Sequence, residues 1–534
     1  MTWATPALIL IGGLLLRAAW LLTPAGMPDG DEAVFGLMAL HILDGRDYPL
    51  YCWGAHYAGA LISYLAAASF WIFGVSGLAL KTATLPFAAG YLGVTYSLAR
   101  QGLDEPSARL ALLLAAVPAA IPLAYSVKAL GGYPEILFLG GLVLLLVLRL
   151  PPEPSASAPP KAHLFLLGFS GGFGLYILPL VLPYLAVALL FMLRYRRHVL
   201  RRRGWAWLLA GTALGLTPMF VYNMLFPMAT LLRLGSRVLH LSRGELLDPD
   251  AGAGTAAWWL TRYLARLLGQ FPAVLRNLGP LTGTSSGWGL LPSWVLVAAA
   301  TLALVSTRGA EDPAARVAMG WLCAWMLPVI FLFVWLADLD RPRHLVPLYS
   351  VLPIGIAALY RRLRLTRPRI APAVIVIPLA IATWDLASGA FSPSGVPTAP
   401  LIRALDRLDI RGFYSDYHVA YQTMFASRER ILASPAAWGQ TSSSDRMPEI
   451  TRQVDALSNP GYVFLLHRSE ADWFAQGLTR CGISFRRQQT EEFDIFARLS
   501  VPVPSAGLPV SSLDWTPATG GACTGMRAGE INHP

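Results

Sequence analysis

Three short clusters combine residue types that can do chemistry. The first is Pro28-Asp29-Gly30-Asp31-Glu32. The second is Glu135, reached through Lys128-Ala-Leu-Gly-Gly-Tyr133-Pro134. The third is Asp338-Leu339-Asp340-Arg341-Pro342-Arg343-His344. Carboxylates can move protons, and guanidinium groups grip phosphate bidentately. His56, in Trp53-Gly54-Ala55-His56-Tyr57, is a fourth candidate. Each also has a plain structural account. Asp29 and Glu32 have the spacing of a helix capping box, and Asp31 would suit the positive end of a helix dipole. Glu135 follows a proline that can open a helix, the arginines could snorkel, and a lone histidine is usually structural or solvated. Arg17, inside an apolar run, reads as snorkelling outward.

The elements that position these residues are membrane helices. The chain is 55% hydrophobic and 14% charged, with a mean hydropathy of +0.51. Soluble domains carry about 25% charged residues, so a water-soluble enzyme is excluded. Apolar runs of membrane-crossing length fall at 4–22, 81–99, 108–125, 135–149, 163–175, 176–193, 205–223, 288–305, 317–337, 345–360 and 371–387, about eleven spans by hydropathy. The stretch 163–193 could be one bent span, and two short ones fit the charges better. The run at Ala4 lacks a basic segment before it, so it reads as a retained span rather than a signal peptide.

Net charge is +11, but it concentrates in alternate short connections: Arg100 and Arg109; Arg149 and Lys161; Arg194 to Arg203; Arg308 and Arg316; Arg361 to Arg369. That is the positive-inside pattern and not a nucleic-acid surface. It places the N-terminus in the cytoplasm and the residues after 387 outside.

Three outer elements result. Residues 23–80 form a first loop with helices expected at 31–45 and 58–74, the second lying along the membrane surface. Residues 224–287 form a long loop with Trp258, Trp259, Arg262 and Tyr263. Residues 388–534 read as a small α/β domain, with strands at 412–414, 462–467 and 491–499 and helices at 445–457 and 469–480. It shows no catalytic motif and reads as a lid or docking domain. The Pro/Ser stretch 151–160 is an inner linker. By this topology Asp31, Glu135 and the Asp338–His344 patch face the same compartment, and a lipid-borne phosphate would sit at the depth of that patch.

No phosphate-binding loop or dinucleotide fingerprint is present, so a nucleotide-sugar donor is unsupported. Gly171-Gly172-Phe173-Gly174 reads as packing glycine inside a span. Of four cysteines, Cys481 and Cys523 could pair if the tail lies outside the cytoplasm, or both could be free thiols.

This layout resembles the GT-C membrane glycosyltransferases, in particular the branch of the protein O-mannosyltransferases and the lipid A aminoarabinose transferase. Asp31-Glu32 matches the acidic pair that opens the first outer loop in that branch, with Ala33, Gly36 and Leu43-Asp44-Gly45 behind it. His56-Tyr57-Ala58 keeps the histidine of a His-Pro-Pro element and loses both prolines. Lys81 stands where the family often has arginine, and Glu135 where an aspartate is commoner. Arg343-His344-Leu345-Val346-Pro347-Leu348-Tyr349 is similar to an Arg-Tyr-x-x-Pro element. The resemblance spans residues 1–387.

It implies an all-α polytopic membrane domain of GT-C type over 1–387, with a C-terminal α/β extracytoplasmic domain over 388–534. The implied donor is a sugar on polyprenyl or dolichyl phosphate, and the acceptor a glycan, lipid or protein. Asp31 would be the general base of an inverting transfer. Arg343 and Arg341, with Lys128 or His56, would hold the leaving lipid phosphate. Glu135 would orient the acceptor, and Glu32, His56 and Glu135 are the candidates for a divalent metal. Asp338, Asp340 and His344 complete the expected substrate-binding set. The Ala/Leu/Arg-rich composition suits a bacterial inner membrane with a periplasmic tail. Two alternatives stay open. A ligase or polymerase of O-antigen type would use the arginines of 224–287. A lipid-linked-sugar transporter would place ionisable groups at mid-span.

Overall fold

The computed structural model describes residues 4–151, 159–201, 204–230, 232, 313–336, 342–388, 395–436, 445–466, 469–505 and 508. It is mostly helical, with one small sheet near the C-terminus. The helices through the first half of the chain are α1 (Ala4–Leu21), α2 (Gly30–Leu43), α3 (Leu61–Phe73), α4 (Gly77–Thr82), α5 (Leu85–Ala99), α6 (Glu105–Ala116), α7 (Ala120–Tyr125), α8 (Tyr133–Leu148), α9 (Lys161–Ile177), α10 (Leu182–Tyr195), α11 (Arg197–Arg201) and α12 (Trp205–Leu225). Later helices are Pro313–Leu336, Leu352–Thr366 and Ala373–Ala387, then four more in the tail.

The chain gathers into two compact units. One holds Met1–Thr23, His56–Ile62 and Lys81–Ser392. The other holds Pro24–Ala55, Ser63–Leu80 and Pro393–Pro534. Most of the first loop therefore clusters with the tail.

In the first unit, α1 and α12 are long and apolar enough to cross a bilayer, and α8 and Ala373–Ala387 are shorter apolar helices. The sequence count of about eleven spans is not reproduced by that criterion among the described residues. Large apolar side chains face outward, among them Leu8 (68% exposed), Leu15 (64%) and Trp384 (76%). In water each would forfeit about 1.5–3 kcal/mol of burial; against acyl chains there is no such loss.

Helices in lipid must associate without a hydrophobic drive, and small residues let their backbones close up. Gly168 and Gly172 of α9 face Gly211 and Gly215 of α12. A Cβ on Gly168 would overlap the Leu208 carbonyl, one on Gly172 that of Thr212, and one on Gly211 that of Phe165. The glycine-rich run is thus packing glycine. The stretch 163–193 is two helices, α9 and α10, broken at extended Leu178 and the 3-10 turn Pro179–Val181.

Two sequence expectations fail for the same reason, proline. The run 108–125 breaks between α6 and α7, where Pro118 cannot supply an amide to continue the ladder. The run at 345–360 begins as a 3-10 helix, Pro342–Ser350, and becomes α-helical only at Leu352; Pro342, Pro347 and Pro353 punctuate it.

The α6 break corrects the reading of Arg17. That side chain is fully buried. It donates to the carbonyls of Ala115 and Ala116 at the end of α6, to Gly13 in α1, and from Nε to Ser126 Oγ. It serves orphan carbonyls that a helix end leaves unpaired, rather than reaching for a headgroup. Asp385 answers it at the other side of the break, accepting the Ala120 amide that opens α7 at 2.6 Å.

The second unit is built on a five-stranded sheet of order β2-β1-β3-β5-β4, with β1 Gly412–Ser415, β2 Leu432–Pro435, β3 Gly461–Leu465, β4 Arg486–Gln489 and β5 Phe493–Ala497. β2, β1 and β3 are parallel; β5 runs against β3 and β4. The register pairs Phe413 with Ala433 and Val463 with Ile495. Strands β1 and β5 are buried throughout, the mark of a sheet covered on both faces, while polar edge strand β4 is largely exposed. Tyr414, Tyr462, Phe464, Phe474 and Phe496 form its aromatic core. The strands expected at 412–414, 462–467 and 491–499 are found as Gly412–Ser415, Gly461–Leu465 and Phe493–Ala497; β2, β4 and the helices Thr398–Arg407 and Tyr417–Ala426 are additional.

Helix α2 and the helix Tyr417–Ala426 run in the same direction. Gly30 lies against His418 and Gly36 against the Phe425 ring, and Phe70 of α3 stacks on Phe425. The expected surface helix is α3, whose end exposes Trp71, Ile72 and Phe73.

Candidate functional site

The acidic motif opens α2. Asp29 is its N-cap, accepting the Glu32 amide at 2.9 Å, while Glu32 Oε2 accepts the Asp29 amide at 3.1 Å. The capping box is therefore complete. Both side chains are buried, and the helix start accounts for Glu32. Asp31 stands apart from this arrangement. Its Oδ1 accepts the phenolic hydroxyl of Tyr417 at 2.8 Å; Oδ2 makes no hydrogen bond among the described residues.

Tyr417 in turn accepts from Arg446 Nε at 3.3 Å. Arg446 lies over the Tyr417 ring, its guanidinium carbon 5.9 Å from the centroid, and donates to the Trp53 carbonyl. Next to Asp31 in sequence, the Gly30 amide donates to His418 Nδ1 at 3.1 Å. A Cβ on Gly30 would fall 2.7 Å from the His418 Cα, so only glycine permits this approach. Burial and the neighbouring Asp31 carboxylate push the Tyr417 phenol far above its ordinary range. Burial pushes the nearby Cys52 thiol up to about 12, so it stays protonated and inert.

A second set of the expected site residues lies in the first unit. Glu135 is in the first turn of α8, buried, with Oε2 unpaired among the described residues. Before it, Gly132 has φ +124°, and a Cβ there would meet that of Leu178 at 2.8 Å. Tyr133 packs edge-on to Tyr125 with centroids 5.0 Å apart. The Lys128 ammonium lies 5.8 Å from the centre of the Tyr125 ring. Arg343, Tyr57 and Lys128 all come within electrostatic range of Tyr133. The structure thus brings two of the expected phosphate-binding cations, Lys128 and Arg343, to one tyrosine beside Glu135.

Arg343 and His344 ride on the 3-10 helix. Its backbone is pinned by Tyr91, which donates to the Tyr349 carbonyl, and by Tyr184, which reaches the Pro347 carbonyl and Ser350 Oγ. An apolar cavity of about 90 Å³ opens nearby, lined by Tyr91, Leu114, Pro118, Tyr349, Pro353 and Ile356 among others. His56 shares a hydrogen bond of 2.6 Å with the Tyr222 hydroxyl. Asp338, Asp340 and Arg341, and the arginine-rich loop 233–287, lie outside the described residues.

The resemblance offers Glu32, His56 and Glu135 as candidates for a divalent cation. Among the described residues no group of three or more His, Cys, Asp or Glu side chains is arranged to hold one. Glu32 is held in its cap and His56 by Tyr222. Cys481 is disulfide-bonded; Cys523 lies outside the described residues.

The residues that sequence reasoning passed over are Tyr417 and Arg446. What they share is visible only in the fold. Both follow the carboxyl ends of parallel strands, β1 and β2, where open α/β sheets place functional groups.

No family model and no curated protein matches the sequence. Solved structures do match. ArnT from Cupriavidus metallidurans bound to undecaprenyl phosphate is 14% identical, with a TM-score of 0.58 over 92% of this chain and 97% of that one. The oligosaccharyltransferase AglB from Archaeoglobus fulgidus, in complex with an inhibitory peptide and a dolichol-phosphate, is 13% identical, with a TM-score of 0.54 over 89% of this chain and 71% of that one. The Archaeoglobus fulgidus oligosaccharyltransferase with zinc and sulfate is 12% identical at a TM-score of 0.54. At such identities the likeness is one of fold, and the chain has the GT-C fold that its acidic motif and layout resemble.

Proposed function

We propose that this chain is a membrane glycosyltransferase that moves a sugar from a polyprenyl-phosphate carrier to an acceptor on the outer face of a bacterial inner membrane. The observation that carries this is the fold shared, over nearly all of both chains, with an enzyme crystallised with undecaprenyl phosphate.

Asp31 is the base. Its Oδ2 takes the proton of an acceptor hydroxyl or amine as that atom attacks the anomeric carbon. The bond from that carbon to the lipid-phosphate oxygen breaks, and the phosphate keeps the electron pair. One displacement inverts the configuration. Arg343 and Lys128 neutralise the departing phosphate, a stabilisation made where charge develops. Glu135 orients the acceptor. Nothing in this scheme passes through a metal.

The test is Asp31→Asn in reconstituted protein given radiolabelled undecaprenyl-phosphate sugars, with bacterial membranes as acceptor pool. A positioned base contributes about 10²–10⁴-fold, so turnover should fall by that factor. Turnover equal to the unaltered protein rejects Asp31 as base.

A further inference from the structure

The tail is more than a cover over a membrane enzyme. Its helix Tyr417–Ala426 begins directly after β1, with Asp416 as N-cap accepting the amides of His418 and Val419. The strand order turns back at β1: β2 lies on one side of it and β3 on the other. In open α/β sheets that reversal leaves a crevice at the carboxyl ends of the strands. Tyr417 emerges there, and Arg446 follows β2 at the same edge.

What these two residues meet is Asp31. The contacts form a directed chain. Arg446 Nε–H donates to the Tyr417 oxygen, and the Tyr417 hydroxyl donates to Asp31 Oδ1. A phenol that accepts from a guanidinium is polarised toward donating, so each bond strengthens the other. The arrangement is also braced. Arg446 donates its backbone amide to the Tyr421 hydroxyl at 2.6 Å, and Tyr421 lies one turn along from Tyr417, its ring centre 4.9 Å away. Tyr417 cannot act as a competing base, since its phenol is held protonated.

We infer that Tyr417, with Arg446 behind it, is a positioning residue for Asp31. The phenol occupies Oδ1 and fixes the carboxylate plane, so that Oδ2 alone is presented to the acceptor. The C-terminal domain thereby supplies part of the setting of the catalytic base. This inference rests on the proposed role of Asp31, and the experiment separates the two.

Full-length protein carrying Asp31→Asn, Tyr417→Phe, Arg446→Gln or both of the last two is assayed with radiolabelled undecaprenyl-phosphate sugars and bacterial membranes, beside thermal unfolding. Losing a hydrogen bond to a charged group is worth about 10- to 100-fold. Tyr417→Phe should lower kcat by that factor with KM for the lipid donor within about twofold. Arg446→Gln should lower kcat less, and should add less than about twofold in the Tyr417→Phe background, because the two act through one path. Asp31→Asn with full turnover removes the base reading, and this inference with it. An inactive Asp31→Asn beside a fully active Tyr417→Phe overturns the positioning role alone. So does a Tyr417→Phe protein whose loss follows its folded fraction, or additive losses in the double variant.

Discussion

Arg17 of α1 donates from Nε to the Ser126 hydroxyl at 3.0 Å, joining the first helix to the residue that ends α7. The same guanidinium serves the Ala115 and Ala116 carbonyls where α6 stops. A buried ion in an apolar setting persists only when its donors are used, and here they are.

Replacing Arg17 with methionine keeps the volume and removes the donors. Each buried group left unpaired costs roughly 1–3 kcal/mol, so Arg17→Met should destabilise the protein by about 3 kcal/mol or more. Lysine, with a point charge and no fork, should recover part. The unfolding midpoint in detergent decides it; an unchanged midpoint for the methionine variant means the carbonyls do not depend on Arg17.

The close approach of α2 to the helix Tyr417–Ala426 makes an ordered pair of predictions. At Gly30 an added methyl meets the His418 backbone, whereas at Gly36 it meets the movable Phe425 ring. Overpacking against backbone costs about 1–3 kcal/mol. Gly30→Ala should lower the midpoint more than Gly36→Ala and should raise protease cleavage between 395 and 436. The reverse ranking would show that the ring, not the backbone, is the rigid partner.

Glu429 ties the end of that helix to the first loop. It accepts from His41 Nε2 and from Arg46 Nη1, both at 2.6 Å. Burial opposes its charge, but the two partners prevail and hold the carboxyl below the ordinary glutamate range. With the folded value depressed, its contribution is full above the unfolded value of about 4.3 and disappears as pH falls through the folded value. Glu429→Gln should therefore lower stability by about 1 kcal/mol at neutral pH, and the difference should vanish in acid. Melting curves at about pH 7 and at stepwise lower pH, down to about pH 2, compare the two. A difference that persists in acid assigns the effect to packing.

Arg343 and Lys128 should govern the lipid rather than the proton transfer. Arg343→Gln should weaken undecaprenyl-phosphate binding by roughly tenfold or more, since a guanidinium–phosphate contact is charge-assisted. Lys128→Gln should weaken it less and with a salt dependence. Binding is read by lipid-dependent stabilisation of the protein, a measurement that needs no acceptor. Wild-type affinity in Arg343→Gln would move the phosphate elsewhere.

Much of this was legible in the chain itself. Asp29 and Glu32 declared a capping box by their spacing, and it forms. Tail strands read at 412–414, and from alternation at 491–499, match β1 and β5. Arg17 was misread because a sequence shows the cost of a buried cation but not its remedy, two carbonyls freed where α6 ends before Pro118. Tyr417 was missed for a related reason. It has no motif, and it meets Asp31 through a helix in a domain read as a lid or docking domain, so only the fold brings the pair together. Short polar strands such as Arg486–Gln489 carry no apolar alternation to detect.

The four glycines that clasp α9 to α12 have a consequence for the order of synthesis. A nascent chain is built from its N-terminus at about 5–20 residues per second. Helix α9 is therefore in the bilayer for seconds before Trp205–Leu225 exists. During that wait its glycine face has only lipid to lean on, and lipid cannot fill a surface shaped for another backbone. The clasp closes only when α12 arrives. Until then α10 and α11 are already made while the backbone that fits this face is still missing.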